Sequence, residues 1–265
     1  MKPASEERSR EDFRGWARSI LVHHASHAGV PGEVYQTSTI GALLDGVYDG
    51  DVTIDELLRH GDFGLGTFNR LDGEMLVLDG VCHHLRGDGS VRLASGDELT
   101  PFAAVTRFVP DTRVTITEPC DRRTLTQKID EMIDSPNLLY AVRVTGTFDT
   151  VHTRTVMEQK PPYPPLTQAT AGQQEAVVHD TAGTLAGYRT PAYEQGIAVA
   201  GYHLHFIDEA RRHGGHALDL RMERGTIEIS AASELHLSLP RTPQFLGARL
   251  SPADIDRQIR QAEGS

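Results

Sequence analysis

Residues 196–220 read GIAVAGYHLHFIDEARRHGGHALDL, and four of the chain's 13 histidines fall between His203 and His216. The segment IAVAGYHLHFI is apolar and rich in β-branched and aromatic residues, the composition of a strand. Side chains two apart on a strand point to the same face, so His203 and His205 project together. DEARRHGG reads as a turn, with His213 inside it beside Gly214. HALDL then reads as the returning antiparallel strand. His216 opens that strand and can lie opposite the His203/His205 pair.

Three imidazoles converging from a hairpin suit Zn²⁺, which takes histidine nitrogen at about 2.0–2.1 Å and can keep a position open for water or substrate. Iron, manganese and copper accept the same ligands, so ligand type alone does not fix the metal. His-x-His by itself is a weak motif, and a hairpin can carry histidines with no metal. The third histidine after the turn strengthens the metal reading. His213, in the turn, is left out of it.

Working outward, the segments on either side also read as strands: AGTLAGYRT, ALDLRMER, TIEIS and ELHLSLP. Upstream, KPPYPPLTQATAG carries four prolines around Tyr163, which no sheet or helix interior accommodates, and reads as a linker or an ordered lid. NLLYAVRVTGTFDTVHTRTV, residues 137–156, reads as one long strand or two with a bend at Gly146. EMLVLDG, SVRLAS, AAVTRFV and RVTITEP are further short strands. Helices are few. TIDELLRHG is capped by Thr53, with Glu56 completing a capping box and Gly61 stopping it. TLTQKIDEMID spans 124–134, and SPADIDRQIRQAE starts with Ser251 as cap and Pro252 at the first helical position. Residues 5–28 place Phe13, Trp16, Ala17, Ile20 and Leu21 near helical spacing. The fold expected is an α/β protein of α+β character, with two domains of mixed, largely antiparallel β-sheets and few helices. An N-terminal helix or arm (1–30) leads to a mixed-sheet domain (31–160). A metal-binding sheet domain with a C-terminal helix (161–265) follows.

Net charge is −11. A chain this acidic lacks the cationic footprint that nucleic-acid binding needs. No apolar run approaches the roughly 20 residues of a membrane span, and the N-terminus has no apolar signal-peptide core. Cys82 and Cys120 are too few for a disulfide framework. A cytoplasmic protein with no nucleic-acid or membrane partner is expected.

A metal needs polar company to do chemistry. Glu74 begins an apolar strand and by itself reads as a solvated strand-end carboxylate. Arg154 shares a strand face with His152, and Val151, Thr153 and Thr155 take the other; alone it reads as an exposed arginine. Glu263 stands at the end of the last helix, where fraying is common.

The ordered set TSTIGALLDGVYDGD, GDFGLGTFNRLDGEM, FDTVHTRTV, PPYPPL and GYHLHF resembles the acetolactate decarboxylase family, from about Tyr35 to about Ser230. The resemblance implies a two-domain, usually dimeric enzyme that converts (S)-2-acetolactate to (R)-acetoin and CO₂ with one zinc ion. It places the zinc on His203, His205 and His216. It also carries over Glu74 from the LDGE motif, Arg154 from HTR, Thr67 from GTF, and a C-terminal glutamate that falls on Glu263. Loss of CO₂ leaves an electron pair to be delocalised into the ketone, as an enediolate that zinc would stabilise by Lewis acidity. Glu74 is then the candidate proton donor, and Arg154 the residue that positions the substrate. No organic cofactor is implied, and the substrate is the only small-molecule partner.

Two other readings remain. His203-x-His205 with Glu209 four positions on matches part of the cupin pattern, in which Glu209 would be a ligand. A non-enzymatic module with structural histidines predicts a metal-free protein indifferent to chelators.

Overall fold

The hairpin reaches across two strands of one sheet, and its registers explain the rest of the molecule. In a computed structural model, residues 29–263 are described; the helix expected over 5–28 lies outside them. Fifteen strands follow in chain order. The first eight are β1 Glu33–Thr37, β2 Val52–Thr53, β3 Phe63–Thr67, β4 Glu74–Leu78, β5 Val81–Leu85, β6 Val91–Leu93, β7 Leu99–Thr100 and β8 Phe102–Thr106. The remainder are β9 Thr112–Ile116, β10 Cys120–Asp121, β11 Leu139–Thr155, β12 Gln174–Thr190, β13 Gly201–Asp208, β14 Gly214–Ala232 and β15 Glu234–Ser238. The helices are α1 Ile40–Leu44, α2 Ile54–His60, α3 Arg122–Asp130, α4 Leu166–Ala169, α5 Pro243–Gly247 and α6 Ile255–Glu263.

One large sheet has the order β15-β1-β8-β3-β4-β5-β6, the other β10-β14-β11-β12-β13, with β9 also on β14, and β2 and β7 form a separate two-stranded sheet. Every pairing is antiparallel except β1 with β15. The expected architecture of mixed, largely antiparallel sheets with few helices is what the chain forms. β11, before residue 160, belongs to the second sheet; β15, after it, completes the edge of the first. The second sheet curls until β13 pairs with β14 as well as β12, through His205↔His216 and Ile207↔Gly214.

The two sheets stack face to face. Leu65, Leu76 and Leu85 of the first meet Ala141, Ala186, Tyr188 and Ile207 of the second. Alternation sends Leu185, Leu204 and Phe206 to the opposite face, where Leu125 and Ile129 of α3 cover them. Helix α2 covers the outer face of the first sheet with Ile54 and Leu57. A separate cluster joins Ile40, Leu43, Leu166, Ala169, Ile259 and Ala262 of α1, α4 and α6 against Phe102 and Val156. This cluster roofs the site described below. No helix among the described residues is long and apolar enough to cross a membrane. Cys82 and Cys120 are free thiols, both buried.

Local signals were used as expected in some places and differently in others. Thr53 Oγ1 accepts the Glu56 N–H at 3.2 Å, and α2 ends at Gly61. Gly61 stops the helix in extended backbone; a Cβ there would lie 2.5 Å from the Thr106 nitrogen. Helix α3 starts at Arg122 and ends at Asp130, capped by Asp121, which accepts the Thr124 N–H at 2.8 Å. The last helix starts at Ile255 rather than just after Ser251. The cap-proline signal acts earlier, where Thr242 caps α5 and Pro243 follows at its start.

Candidate active site

The curled sheet gathers the histidines. His205 stands opposite His216 across β13 and β14, and His216 stands opposite Arg154 across β14 and β11. The register of β14 slips between His152 and Thr153, where Leu218 is the extra residue. Such a bulge re-aims the strand. His152 is left half-buried, whereas Arg154 is buried, only 4% exposed. The strand face alone predicts an exposed arginine; the bulge and the roof of α6 bury it.

His203, His205 and His216 bring ligand atoms to within 4.8 Å of one another. Burial, with the Arg154 charge nearby, holds all three far below the ordinary histidine range, His203 and His205 at about 3. All three are therefore neutral at pH 7 with a nitrogen lone pair to give. His205 Nδ1–H donates to the Met75 carbonyl at 2.8 Å, which leaves Nε2 buried with no hydrogen-bond partner. A buried polar atom left unpaired is costly, and a metal removes that cost. His216 Nε2–H donates to the Glu263 carbonyl at 3.1 Å, leaving Nδ1 available. Three neutral imidazoles so oriented are a donor set that fits Zn²⁺.

Glu74 enters from the first sheet. Arg70 and Leu71 take positive φ, and Gly73, at φ 74°, turns the chain into β4. A Cβ at Gly73 would sit 2.2 Å from the Leu85 carbonyl oxygen, so the turn needs glycine on both counts. Thr67 pairs with Glu74 across β3 and β4, and its hydroxyl donates to the Gly73 carbonyl at 2.7 Å. Glu74 Oε2 then lies 3.6 Å from His205 Nε2. Burial pushes the Glu74 carboxyl up to about 8; the Glu263 charge adds to this and Arg154 opposes it.

Glu263, 9% exposed, closes the group from the end of α6. Its Oε2 lies 3.1 Å from Arg154 Nη2 and 3.7 Å from both His203 Nε2 and His216 Nδ1. Arg154 Nη1 also donates to the Ala262 carbonyl and, at 3.0 Å, to Gln173 Oε1. Thr67, Glu74, Arg154, His203 and Glu263 line the polar side of one small cavity. Leu43, Leu71, Phe102 and Leu166 line its apolar side. The proline-rich segment ends in α4, so Leu166 and Thr170 form a fixed wall of this cavity.

Every residue singled out in the sequence for the site is thus brought together, apart from Glu209. That residue is exposed in the turn after β13 and outside the histidine group, so the cupin-like arrangement is not formed. His213 is exposed and bonds to Asp208 at 3.1 Å. Gln173 and the Met75 carbonyl escaped the sequence reading. A glutamine in the polar run GQQEA carries no signal, and a backbone acceptor carries none in principle.

A family model described as alpha-acetolactate decarboxylase matches residues 34–252. The alpha-acetolactate decarboxylase of Klebsiella aerogenes is 46% identical over 230 residues, covering 87% of this chain and 88% of that protein. That of Methylococcus capsulatus is 45% identical over 231 residues, covering 87% of this chain and 88% of that protein. The crystal structure of the Bacillus subtilis enzyme superposes with a TM-score of 0.86 at 44% identity, covering 88% of this chain and 100% of that one. The chain belongs to the alpha-acetolactate decarboxylase family.

Proposed function

We propose that this enzyme decarboxylates (S)-2-acetolactate to (R)-acetoin and CO₂, with one zinc ion held by His203, His205 and His216. The observation that carries the reading is convergence. Three neutral imidazoles, His205 and His216 buried and His203 partly so, gather in one group, and His203 shares a cavity with Glu74 and the buried guanidinium of Arg154, with apolar residues on its other side. When bound, zinc supplies a Lewis acid that stabilises negative charge developing on the substrate's oxygens.

The rest falls to the chain's own groups. The bond to the carboxylate breaks, CO₂ leaves, and the electron pair moves into the ketone to give an enediolate. Glu74, whose carboxyl burial pushes upward, is placed to give a proton to the carbon that bore the carboxylate. Delivery from one side of a closed cavity makes the product a single enantiomer. Thr67 holds the turn from which Glu74 projects. Arg154 orients the anionic substrate and stays beside the enediolate after CO₂ leaves. Glu263 fixes Arg154 and stands within reach of a metal on His203 and His216. Leu43, Leu71, Phe102 and Leu166 exclude water and receive the methyl groups. The same reading takes the protein as a homodimer, on the family likeness.

The test is acetoin formation from racemic acetolactate, before and after zinc is stripped and restored. Activity is expected to vanish with the metal and return with Zn²⁺. Glu74→Gln is expected to retain zinc and lose more than about tenfold in rate, roughly 1.4 kcal/mol. Normal turnover in that variant removes Glu74 from the chemistry. A zinc-loaded protein that forms no acetoin refutes the assignment.

A further inference from the structure

We propose that Gln173 is a positioning residue for Arg154, holding the guanidinium at its working angle without neutralising it. The inference rests on the role given to Arg154 above. Among the described residues, three acceptors meet that guanidinium: Gln173 Oε1, the Ala262 carbonyl and Glu263 Oε2. Two of the three come from the same end of α6. Gln173 alone ties Arg154 to the sheet framework, since it leads into β12, the neighbour of β11. The strands set this reach, because Arg154 pairs with Glu175 and Gln173 lies two residues before it.

The amide's orientation is fixed on both sides. An arginine has only donors, so Gln173 must turn its oxygen to Arg154. Its Nε2 then donates to Glu175 Oε1 at 3.0 Å. Glu175 Oε2 is in turn 3.0 Å from His152 Nε2. The Gln173 backbone is anchored too, its N–H donating to the Thr170 carbonyl at 3.2 Å. Thr170 itself lines the cavity.

Neutrality is the point of a glutamine here. Glu263 already places one carboxylate on Arg154. A second would make the group net negative where an anionic substrate has to bind. An amide supplies the same acceptor geometry and adds no charge.

The experiment compares Gln173→Met, Gln173→Glu, Arg154→Met and the double Arg154→Met/Gln173→Met variant, each as zinc-loaded enzyme with metal content and melting temperature measured. Gln173→Met is expected to keep its metal and melting temperature and to lose about tenfold or more in kcat/KM, as supporting-residue changes do. Gln173→Glu restores the acceptor, so kcat recovers relative to Gln173→Met while KM for the anionic substrate rises. The double variant is expected to be no worse than Arg154→Met, because Gln173 acts only through Arg154. Three results overturn the proposal: Gln173→Met within about twofold of wild type, losses that add in the double variant, or activity that falls only in step with lost metal. Normal turnover in Arg154→Met would remove Arg154 from the mechanism, and Gln173 with it. That outcome is distinct from an impaired Arg154→Met beside an unimpaired Gln173→Met, which removes Gln173 alone.

Discussion

Replacing Thr67 with valine tests whether one buried hydroxyl holds the acid of the site in place. Thr67 is 6% exposed, and its hydroxyl donates to the Gly73 carbonyl at 2.7 Å, one residue before Glu74. Valine keeps the shape and removes the donor. The lost bond contributes about 0.5–1.5 kcal/mol, and a buried carbonyl left without its partner costs about 1–3 kcal/mol. These overlap, so a net loss of about 1–3 kcal/mol is expected. For a chain of this size that corresponds to a melting temperature lower by roughly 2–10 °C. The kinetic effect should be the larger one, because a displacement of about 1 Å at a reacting group can cost about a hundredfold. Calorimetry on zinc-loaded protein reads the first quantity and acetoin formation the second. Thr67→Ser is the control, since it keeps the hydroxyl and drops the methyl. If Thr67→Val melts and turns over like wild type, the bond does not hold the turn. If Thr67→Ser loses as much as Thr67→Val, methyl packing rather than the hydrogen bond is responsible.

Two further outcomes follow from the geometry. Gly187→Ala would place a Cβ 2.1 Å from the His203 carbonyl oxygen, prising β13 from β12 at the first of the proposed zinc ligands. Overpacking of this kind costs about 1–3 kcal/mol, and zinc content measured by metal analysis should fall with it; full zinc occupancy at an unchanged melting temperature would contradict this. Glu98 accepts hydrogen bonds from Arg92, at 2.8 Å for one of the two, and they hold its carboxyl down at about 2 against an ordinary 4.5. A depressed carboxyl contributes stability above its unfolded pKa and loses it as pH falls through the folded one, so the contribution fades between those two values. Urea unfolding of Glu98→Gln across that window should show a shallower acid-side decline than wild type, and parallel declines would show that Glu98 adds nothing there.

What the sequence disclosed was whatever depends on local period or local chemistry. His203, His205 and His216 were legible because a strand has a period of two and a turn returns it. The Thr53 cap was legible because capping is settled within four residues. The burial of Arg154 was not, since it depends on an unpaired Leu218 in another strand and on a helix about a hundred residues away. Nor was the parallel pairing of β15 with β1, which joins Glu234 to Glu33 across almost the whole chain. Ser251-Pro252 has the form of a cap signal and predicts an earlier start than Ile255 for α6. The chain uses its Thr242-Pro243 equivalent instead, where Thr242 Oγ1 meets the Phe245 N–H at 3.3 Å. The role of Glu74 lay between these cases. Its motif was visible, but its raised pKa exists only because two sheets close over it.

The charges around Arg154 bear on how a decarboxylase avoids holding its substrate too well. A guanidinium that bound the substrate carboxylate tightly would stabilise the ground state, and CO₂ would then have to be pulled from that grip. In this site three of the five arginine N–H groups are already engaged, by Gln173, Ala262 and Glu263, and Glu263 offsets part of the charge. Arg154 Nε is buried and unpartnered, and it belongs to the part of the fork that remains for substrate. A partly committed arginine, its charge partly offset, can set the angle of the scissile bond while binding the carboxylate only loosely. The apolar wall of Leu43, Leu71, Phe102 and Leu166 supplies binding that does not change as the bond breaks. On the proposed mechanism, what strengthens along the reaction is the interaction with charge arriving at the enediolate oxygens, and this is where neutral histidines would matter. Ligands without charge leave a divalent ion its full attraction for that oxyanion, whereas carboxylate ligands would have spent part of it beforehand. Burial, which lowers the pKa of the three imidazoles, is what would leave them uncharged ligands for the proposed zinc ion.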